Sequence, residues 1–337
     1  MVARKLINDP ENAVDEYLEG FLLAHPDLVK RVHERGIARA DAPVQGKVAV
    51  VIGGGSGHKP AFSGYVGPGG ADGAVIGDVF TSPTPDMALA VAQAVDGGAG
   101  VIFSYGRYQG DILNFDMAAE LADAEGIRVE TVLVTDDVAS APKEKSELRR
   151  GIAGDFFVFK ALFSKAESGA SLDEVIAVGQ KANERTRTMG VGLSGCTLPG
   201  QDEPNFTLPD GEMEIGLGIH GEPGASRGPI QPADRVVEDL LGRILDDMPL
   251  DSGSEVAVLV NGLGATPYME LYIMNRRLHQ LLEEKGISIY KSYVGEYCTS
   301  LDMAGASITL LHLDDELKQL VDAPCDTPMF TQMQSSS

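Results

Sequence analysis

Val48-Ala49-Val50-Val51-Ile52-Gly53-Gly54-Gly55-Ser56-Gly57-His58 is a short β-branched apolar run closed by glycines. It lacks the alternation of apolar and polar residues of a half-exposed strand, so it predicts a strand buried on both faces, as inside parallel sheets. Glycine permits positive φ and close backbone approach, so several N–H groups can converge there on an oxygen-rich ligand. His58 then sits at the strand's carboxyl end, where α/β sheets place their ligands. The alternative is a glycine-rich turn with an incidental histidine.

The same texture repeats outward from this segment. Apolar runs at Ala74-Val75-Ile76, Val101-Ile102-Phe103 and Val129 to Val134 are separated by helical material over Asp86 to Val95 and Ile112 to Ala124. Strands alternating with single helices imply parallel pairing. Upstream, Val14, Tyr17, Leu18, Phe21 and Leu22 recur at helical spacing, with Asp9 placed to cap, Pro10 at the first helical position and an end near His25-Pro26. Ser171 and Glu174 form a capping box for a helix running to about Arg187. From Gly190 to Gly228 ten glycines and strand-like segments replace the helical pattern, and the domain boundary is placed at their start. Beyond them, helices are predicted over Pro232 to Asp247 and Pro267 to Lys285, and strands over Val256 to Val260, Ile289 to Val294 and Ile308 to Leu313. The expected architecture is α/β with two domains, residues 1–188 and 189–337. Each is a mixed or mainly parallel sheet flanked by helices, and the second begins with an antiparallel portion. The polar tail from Thr331 to Ser337 is expected to fray.

The 337 residues include 27 Lys+Arg against 50 Asp+Glu, a formal net charge of −23, and 43% are hydrophobic. That length and apolar content suit two buried cores. An acidic excess of this size opposes generic binding to nucleic acid or to an anionic membrane surface, both of which need a basic face. No stretch approaches the roughly 18 consecutive apolar residues of a membrane span, and Met1 to Lys5 opens no secretory apolar region. A cytoplasmic protein is expected. Cys196, Cys298 and Cys325 are widely spaced without a C-x-x-C, so they read as reduced thiols rather than a disulfide framework or a zinc cluster.

No segment supplies a P-loop. G-x-G-x-x-G occurs at Gly190 to Gly195 and at Gly216 to Gly221, but the residues that follow are turn formers, whereas a dinucleotide fingerprint must open a helix. The second match reads better as a strand. Met213, Ile215, Leu217 and Ile219 alternate with Glu212, Glu214, Gly216 and Gly218, placing His220 at the strand's end on its less apolar face. There it is a candidate base, metal ligand or nucleophile, or an ordinary structural histidine. In Arg107 to Phe115, Asp111 either caps the next helix or orients a ligand hydroxyl. Phe80-Thr81-Ser82-Pro83-Thr84-Pro85-Asp86 offers hydroxyls that suit a polyol, or is a turn followed by a cap.

Taken together, Gly53 to His58, Phe80 to Asp86, Gly110 to Phe115 and Gly218 to Gly224 resemble, in order, the substrate-binding K subunit of dihydroxyacetone kinase. Lys5 to Asp9, Arg39 to Pro43 and Ser307 to Leu311 extend the likeness over essentially the full length. The resemblance implies that His220 adds through its ring nitrogen to a ketose carbonyl, giving a hemiaminal. It also implies that His58 is the general base and Asp111 the hydroxyl-binding carboxylate. Gly55, Ser56, Gly57, Thr81, Ser82 and Gly106 fall among the substrate-binding positions, and no metal site is implied. The chain departs from well-known members at Lys59, where they have Glu, and at Gly106, where they place a basic substrate-binding residue, with Arg107 adjacent here. Dihydroxyacetone is therefore joined as candidate substrate by a tetrulose such as erythrulose. No cofactor is expected on this chain. A separate L subunit is expected to carry ATP or ADP with magnesium, in the ADP case recharged by a phosphotransferase-system donor, and the end at Ser337 leaves the nucleotide to that partner. The K-subunit likeness goes with a homodimer and with no nucleic-acid or membrane partner. The competing expectation is a non-enzymatic ketose sensor that pairs with a transcription regulator.

Overall fold

The structure is a computed structural model and describes residues 5–333. The opening before Lys5 and the tail after Met333 lie outside this range; of the tail expected to fray, Thr331 and Gln332 instead pair with Asp326 and Cys325. Asp9 accepts a hydrogen bond from the Glu11 N–H (3.0 Å) and starts a 3-10 turn at Pro10 that leads into α1 (Ala13–Ala24). There follow β1 (Val29–His33), β2 (Gly36–Arg39), β3 (Ala49–Ser56), β4 (Gly73–Val79), α2 (Pro85–Val95), β5 (Val101–Gly106), α3 (Gln109–Ala124), β6 (Val129–Val134), α4 (Asp155–Glu167) and α5 (Leu172–Glu184). Ser171 and Glu174 form the expected capping box at α5, the Ser171 N–H donating to Glu174 at 2.8 Å. Then come β7 (Thr186–Gly192), β8 (Glu212–Ile215), β9 (Ser226–Pro229), α6 (Ala233–Asp247), β10 (Glu255–Gly262), α7 (Tyr268–Glu284), β11 (Ser288–Gly295), β12 (Gly305–His312), α8 (Asp315–Asp322), β13 (Cys325–Asp326) and β14 (Thr331–Gln332).

The chain divides into two compact units, but not at a single cut after residue 188. One unit takes Lys5–Val134, Phe157–Ala182 and the segment from Leu317 onward; the other takes Thr135–Phe156 and Asn183–Glu316. The physical reason is visible on both sides of the crossing. Residues 135–156 bond into the second unit, where Asp137 bridges to Thr188 and Arg149 donates to Asp247 at 2.9 Å. α4 then returns to the first unit, where buried Lys160 donates to the Ala323 carbonyl at 2.6 Å and ties the C-terminal segment down.

The first unit holds a six-stranded sheet in the order β1-β2-β4-β3-β5-β6, with β3 to β6 parallel and β1 and β2 an antiparallel edge. Alternation on β3 and β5 serves two buried faces: Ala49, Val51, Val101, Phe103 and Tyr105 pack against α2 and α3. On the other face, Val132 of β6 lies behind Gly179 of α5, where a Cβ would approach Val132 to 3.1 Å. Arg39, Lys47 and Asp72, all buried, form an ion-pair network, with Lys47 Nζ 2.6 Å from Asp72 Oδ2. The second unit holds the sheet β11-β10-β12-β7-β8-β9, parallel only between β10 and β11. Its antiparallel portion matches the expectation, and α6 and α7 cover one face with Leu240, Ile244, Leu271 and Leu278 against Val258, Val260, Ile308 and Leu310.

Candidate functional site

In the first unit the chain moves from β3 outward to β4, then crosses back to β5 on β3's other side. Ligands of open α/β sheets bind where the strand order reverses in this way, outside the strands' carboxyl ends. His58 follows β3 at that point, and Gly106 ends β5 before α3 carries Asp111 in its first turn. The glycines are there for packing as much as for turning. A Cβ on Gly53 would lie 2.8 Å from the Phe115 ring, and one on Gly55 would lie 2.6 Å from the Thr81 N–H nitrogen. Phe115 thus wedges between β3 and β5, stacking on Tyr105 at 4.4 Å, and fixes α3 so that Asp111, one turn earlier, faces the strand ends. Asp111 is the third residue of α3 and not its cap, which is Tyr108.

The β4 end is stitched to the β3 end. Ser56 Oγ donates to the Gly77 carbonyl (2.7 Å), and the Phe80 N–H donates to the Ser56 carbonyl (3.0 Å). Phe80 takes the left-handed region at φ 55, uncommon for a bulky residue, and its ring stacks on buried His58 at 5.1 Å and 12°. Thr81 closes a tight turn, its N–H donating to the Asp78 carbonyl at 3.0 Å. Ser82 is pinned to α3, since Asn114 Nδ2 lies 3.2 Å from Ser82 Oγ and 2.9 Å from the Pro83 carbonyl. The fold therefore brings His58, Ser56, Gly57, Thr81, Ser82, Gly106 and Asp111 to the carboxyl ends of three adjacent parallel strands. Beside them, Lys59 Nζ donates to Ser63 Oγ (3.1 Å) and sits 4.1 Å over the Tyr17 ring, while Tyr17 and Ser63 share a 2.5 Å hydrogen bond. Burial pushes the Lys59 ammonium down to about 7 and the Tyr17 hydroxyl up to about 12.

His220 belongs to the second unit. The expected strand over Met213 to Ile219 is shorter: β8 stops at Ile215 because Gly216 turns the backbone to φ 78. Leu217 and Ile219 are both buried, so the alternation has no exposed face to serve. Ile215 pairs with Ser226, and residues 216–225 form the loop of the β8–β9 hairpin with His220 near its tip. The loop is held from several sides. The Gly221 N–H donates to the Gly218 carbonyl (3.0 Å), Asn205 Nδ2 donates to the His220 carbonyl (2.7 Å), and Ser300 Oγ donates to the Ile219 carbonyl. Glu222 grips the histidine twice: Oε2 accepts from the His220 N–H (3.0 Å), and Oε1 faces ring Nδ1 at 3.1 Å. Burial acts to raise the Glu222 carboxyl, but His220 and Arg150 outweigh it and hold it at about 2.

The family model described as the Dak1 domain matches residues 19–329. The chain belongs to the Dak1 domain family. Within it, the PTS-dependent dihydroxyacetone kinase 2, dihydroxyacetone-binding subunit DhaK, of Listeria innocua is 50% identical, the match covering 97% of this chain and 99% of that one. The L-erythrulose kinase of Pectobacterium atrosepticum is 46% identical over 96% of this chain and 56% of that protein. Among solved structures, the dihydroxyacetone kinase from C. freundii in complex with AMP-PNP and Mg2+ aligns with a TM-score of 0.88 at 33% identity, over 98% of this chain and 61% of that one. Glu222, Arg150 and Asn205 were not legible as site residues of this Dak1 chain. Only Glu222 left a trace, as a carboxylate two residues after a histidine in a glycine-flanked turn. Among the described residues no group of three or more His, Cys, Asp or Glu side chains is placed to hold a metal ion, and no helix is long and apolar enough to cross a membrane. The three cysteines are buried free thiols.

Proposed function

We infer that this chain captures a small ketose covalently at His220 and, with a nucleotide-bearing partner, phosphorylates the ketose's terminal hydroxyl. It is a dihydroxyacetone kinase-type phosphotransferase subunit, in keeping with its family and its kinase relatives. The observation that carries the covalent reading is the 3.1 Å contact between His220 Nδ1 and an ionised Glu222. An ionised carboxylate only accepts, so whenever the ring is uncharged its proton lies on Nδ1 and its lone pair on Nε2. Nε2 forms a bond to the carbonyl carbon, and the carbonyl π pair moves to oxygen, which takes a proton from solvent. The Nδ1 proton is then released, leaving a neutral hemiaminal. Glu222 opposes the positive charge that the ring carries between these events. A polyol offers no such electrophilic carbon, so this chemistry selects a ketone or aldehyde over a polyol. Tethering a weakly bound small molecule as a positioned nucleophile is worth about 7–11 kcal/mol at best.

His58 is assigned as the general base for the terminal hydroxyl, and Asp111 as the acceptor that orients it. The positions of both beyond parallel strands flanking the switch point support these roles. Gly55, Ser56, Gly57, Thr81 and Ser82 are assigned to the substrate's oxygens, Ser56 as an acceptor because its hydroxyl proton goes to Gly77. Gly106 puts no side chain at the end of β5, which supports a tetrulose beside dihydroxyacetone as substrate. The nucleotide and magnesium are assigned to a separate L subunit, charged by ATP or through a phosphotransferase-system donor, and the chain itself to a cytoplasmic homodimer.

Reconstitution with an L subunit, ATP and magnesium tests the assignment. Dihydroxyacetone or erythrulose is expected to be phosphorylated, with comparable kcat/KM or a preference for the tetrulose. A strong preference for dihydroxyacetone would show that Gly106 does not widen the choice. Ketose capture with no transfer to either sugar would overturn the enzymatic role in favour of a sensor.

A further inference from the structure

Asp137, Arg150, Glu222 and His220 form one continuous run of contacts within the second unit. Asp137 Oδ2 accepts from Arg150 Nε (2.9 Å) and lies 2.8 Å from Nη2. Arg150 Nη1 lies 3.6 Å from Glu222 Oε2, and Glu222 holds the His220 N–H and ring. The run goes from the interior to the loop tip: the side chains of Asp137, Arg150 and Glu222 are 1%, 17% and 31% exposed.

We propose that Asp137, acting through Arg150 and Glu222, is a positioning residue that fixes the orientation and tautomer of the His220 imidazole. The proposal deepens, and rests on, the carbonyl-capturing role given to His220 above. The buried end is immobile. Asp137 Oδ1 accepts from the Ala139 N–H (3.0 Å), and the Asp137 N–H donates to the Arg150 carbonyl (3.1 Å). Ser140 Oγ closes the arrangement by donating to the Asp137 carbonyl (2.8 Å) and accepting from the Arg150 N–H (3.0 Å). The loop is shaped around the run as well: a Cβ on Gly218 would lie 2.1 Å from Glu222 Oε2 and 2.5 Å from Arg150 Nη1. Electrostatics agree with the geometry. Burial, helped by neighbouring Asp136, pushes the Asp137 carboxyl up to about 6 against the pull of Arg150. The contacts themselves carry the anchoring: Asp137 holds one side of a guanidinium whose other side meets Glu222. A group that hydrogen-bonds one ring nitrogen of a histidine governs which nitrogen is protonated, and removing such a support behind a metal-ligating histidine costs about 10–100-fold in affinity or activity.

The test uses the full-length protein labelled with 15N-histidine, and [2-13C]dihydroxyacetone as the probe, at pH 7.5. Wild-type His220 is expected to show the Nδ1-protonated tautomer. Glu222→Ala is expected to give mixed tautomers and about 100-fold weaker ketose capture. Asp137→Asn and Arg150→Met are expected to shift the tautomer ratio part-way and weaken capture about 10-fold, with Glu222→Asp recovering part of the loss. Should Asp137→Asn not fold by circular dichroism, Arg150→Met and Arg150→Lys decide the same point, since the Arg150 side chain is the more exposed. Wild-type tautomer and capture in the folded Asp137 and Arg150 variants, whatever Glu222→Ala does, would overturn the proposal while leaving the His220 assignment standing. Absence of a wild-type adduct would overturn that assignment, and the tautomer shifts in the ligand-free variants would still decide the positioning role.

Discussion

His58→Ala is expected to lower kcat for phosphoryl transfer by about 10²–10⁴-fold, the usual contribution of a positioned general base. Ketose capture at His220 should stay within about twofold of wild type, because the base role acts on the terminal hydroxyl and not on the carbonyl carbon. The two readouts must therefore separate. His58 is buried at the end of β3, its ring stacked on Phe80, so circular dichroism of His58→Ala accompanies the kinetic readouts. Turnover measured with an L subunit, alongside a 13C titration of ketose capture, checks the prediction. Unchanged turnover removes His58 from the base role, and loss of capture together with turnover reassigns it to substrate binding.

Asp247→Ala carries the largest expected effect on stability. Asp247 sits at the end of α6 with a 6% exposed side chain, accepting from Arg149 (2.9 Å) and Arg187 (2.6 Å). The Arg149 side chain is itself 1% exposed, so the substitution strands a buried guanidinium, which destabilises by about 3–5 kcal/mol. Urea denaturation at pH 7 should show that loss, and a change within about 0.5 kcal/mol would contradict it. The pH dependence follows from the same pair. Burial acts to raise the Asp247 carboxyl, but Arg149 and Arg187 outweigh it and hold it below its ordinary 3.8. The native state thus binds this proton less readily than the unfolded chain. The contribution is complete above about pH 4 and is lost as pH falls through the lowered native value.

The parallel half of the fold was legible because its signals are local. Val129 to Val134 is β6 residue for residue, and the apolar run before Gly53 is β3. What escaped was decided by tertiary burial. α4 runs through Phe156, Phe157, Phe159 and Phe163, all buried, so it shows no polar face and no helical period. β1 is a short edge strand whose charged residues hide a period of two, and β2, paired on both sides and buried throughout, is only four residues long. The boundary after residue 188 failed for a related reason. A chain that leaves a unit and returns shifts neither its composition nor its periodicity at the crossing. In the first unit every expected position gathers at the strand ends, because glycine-rich turns and α/β topology place them there together. In the second, a strand was expected where Gly216 turns the chain, and the groups that hold the His220 loop are Asn205, Arg150 and Ser300, the last 81 residues from its partner Ile219, a spacing no local pattern announces.

The central claim is that His220 forms a covalent bond to a ketose carbonyl carbon. The most direct measurement adds [2-13C]dihydroxyacetone to protein labelled with 15N-histidine, with His220→Ala as control. The account predicts that at saturation the bound carbonyl resonance is replaced by a tetrahedral carbon coupled to a single histidine nitrogen, and that this signal is absent from His220→Ala. A bound ketose that keeps its trigonal carbonyl, or an adduct that survives in His220→Ala, would contradict it.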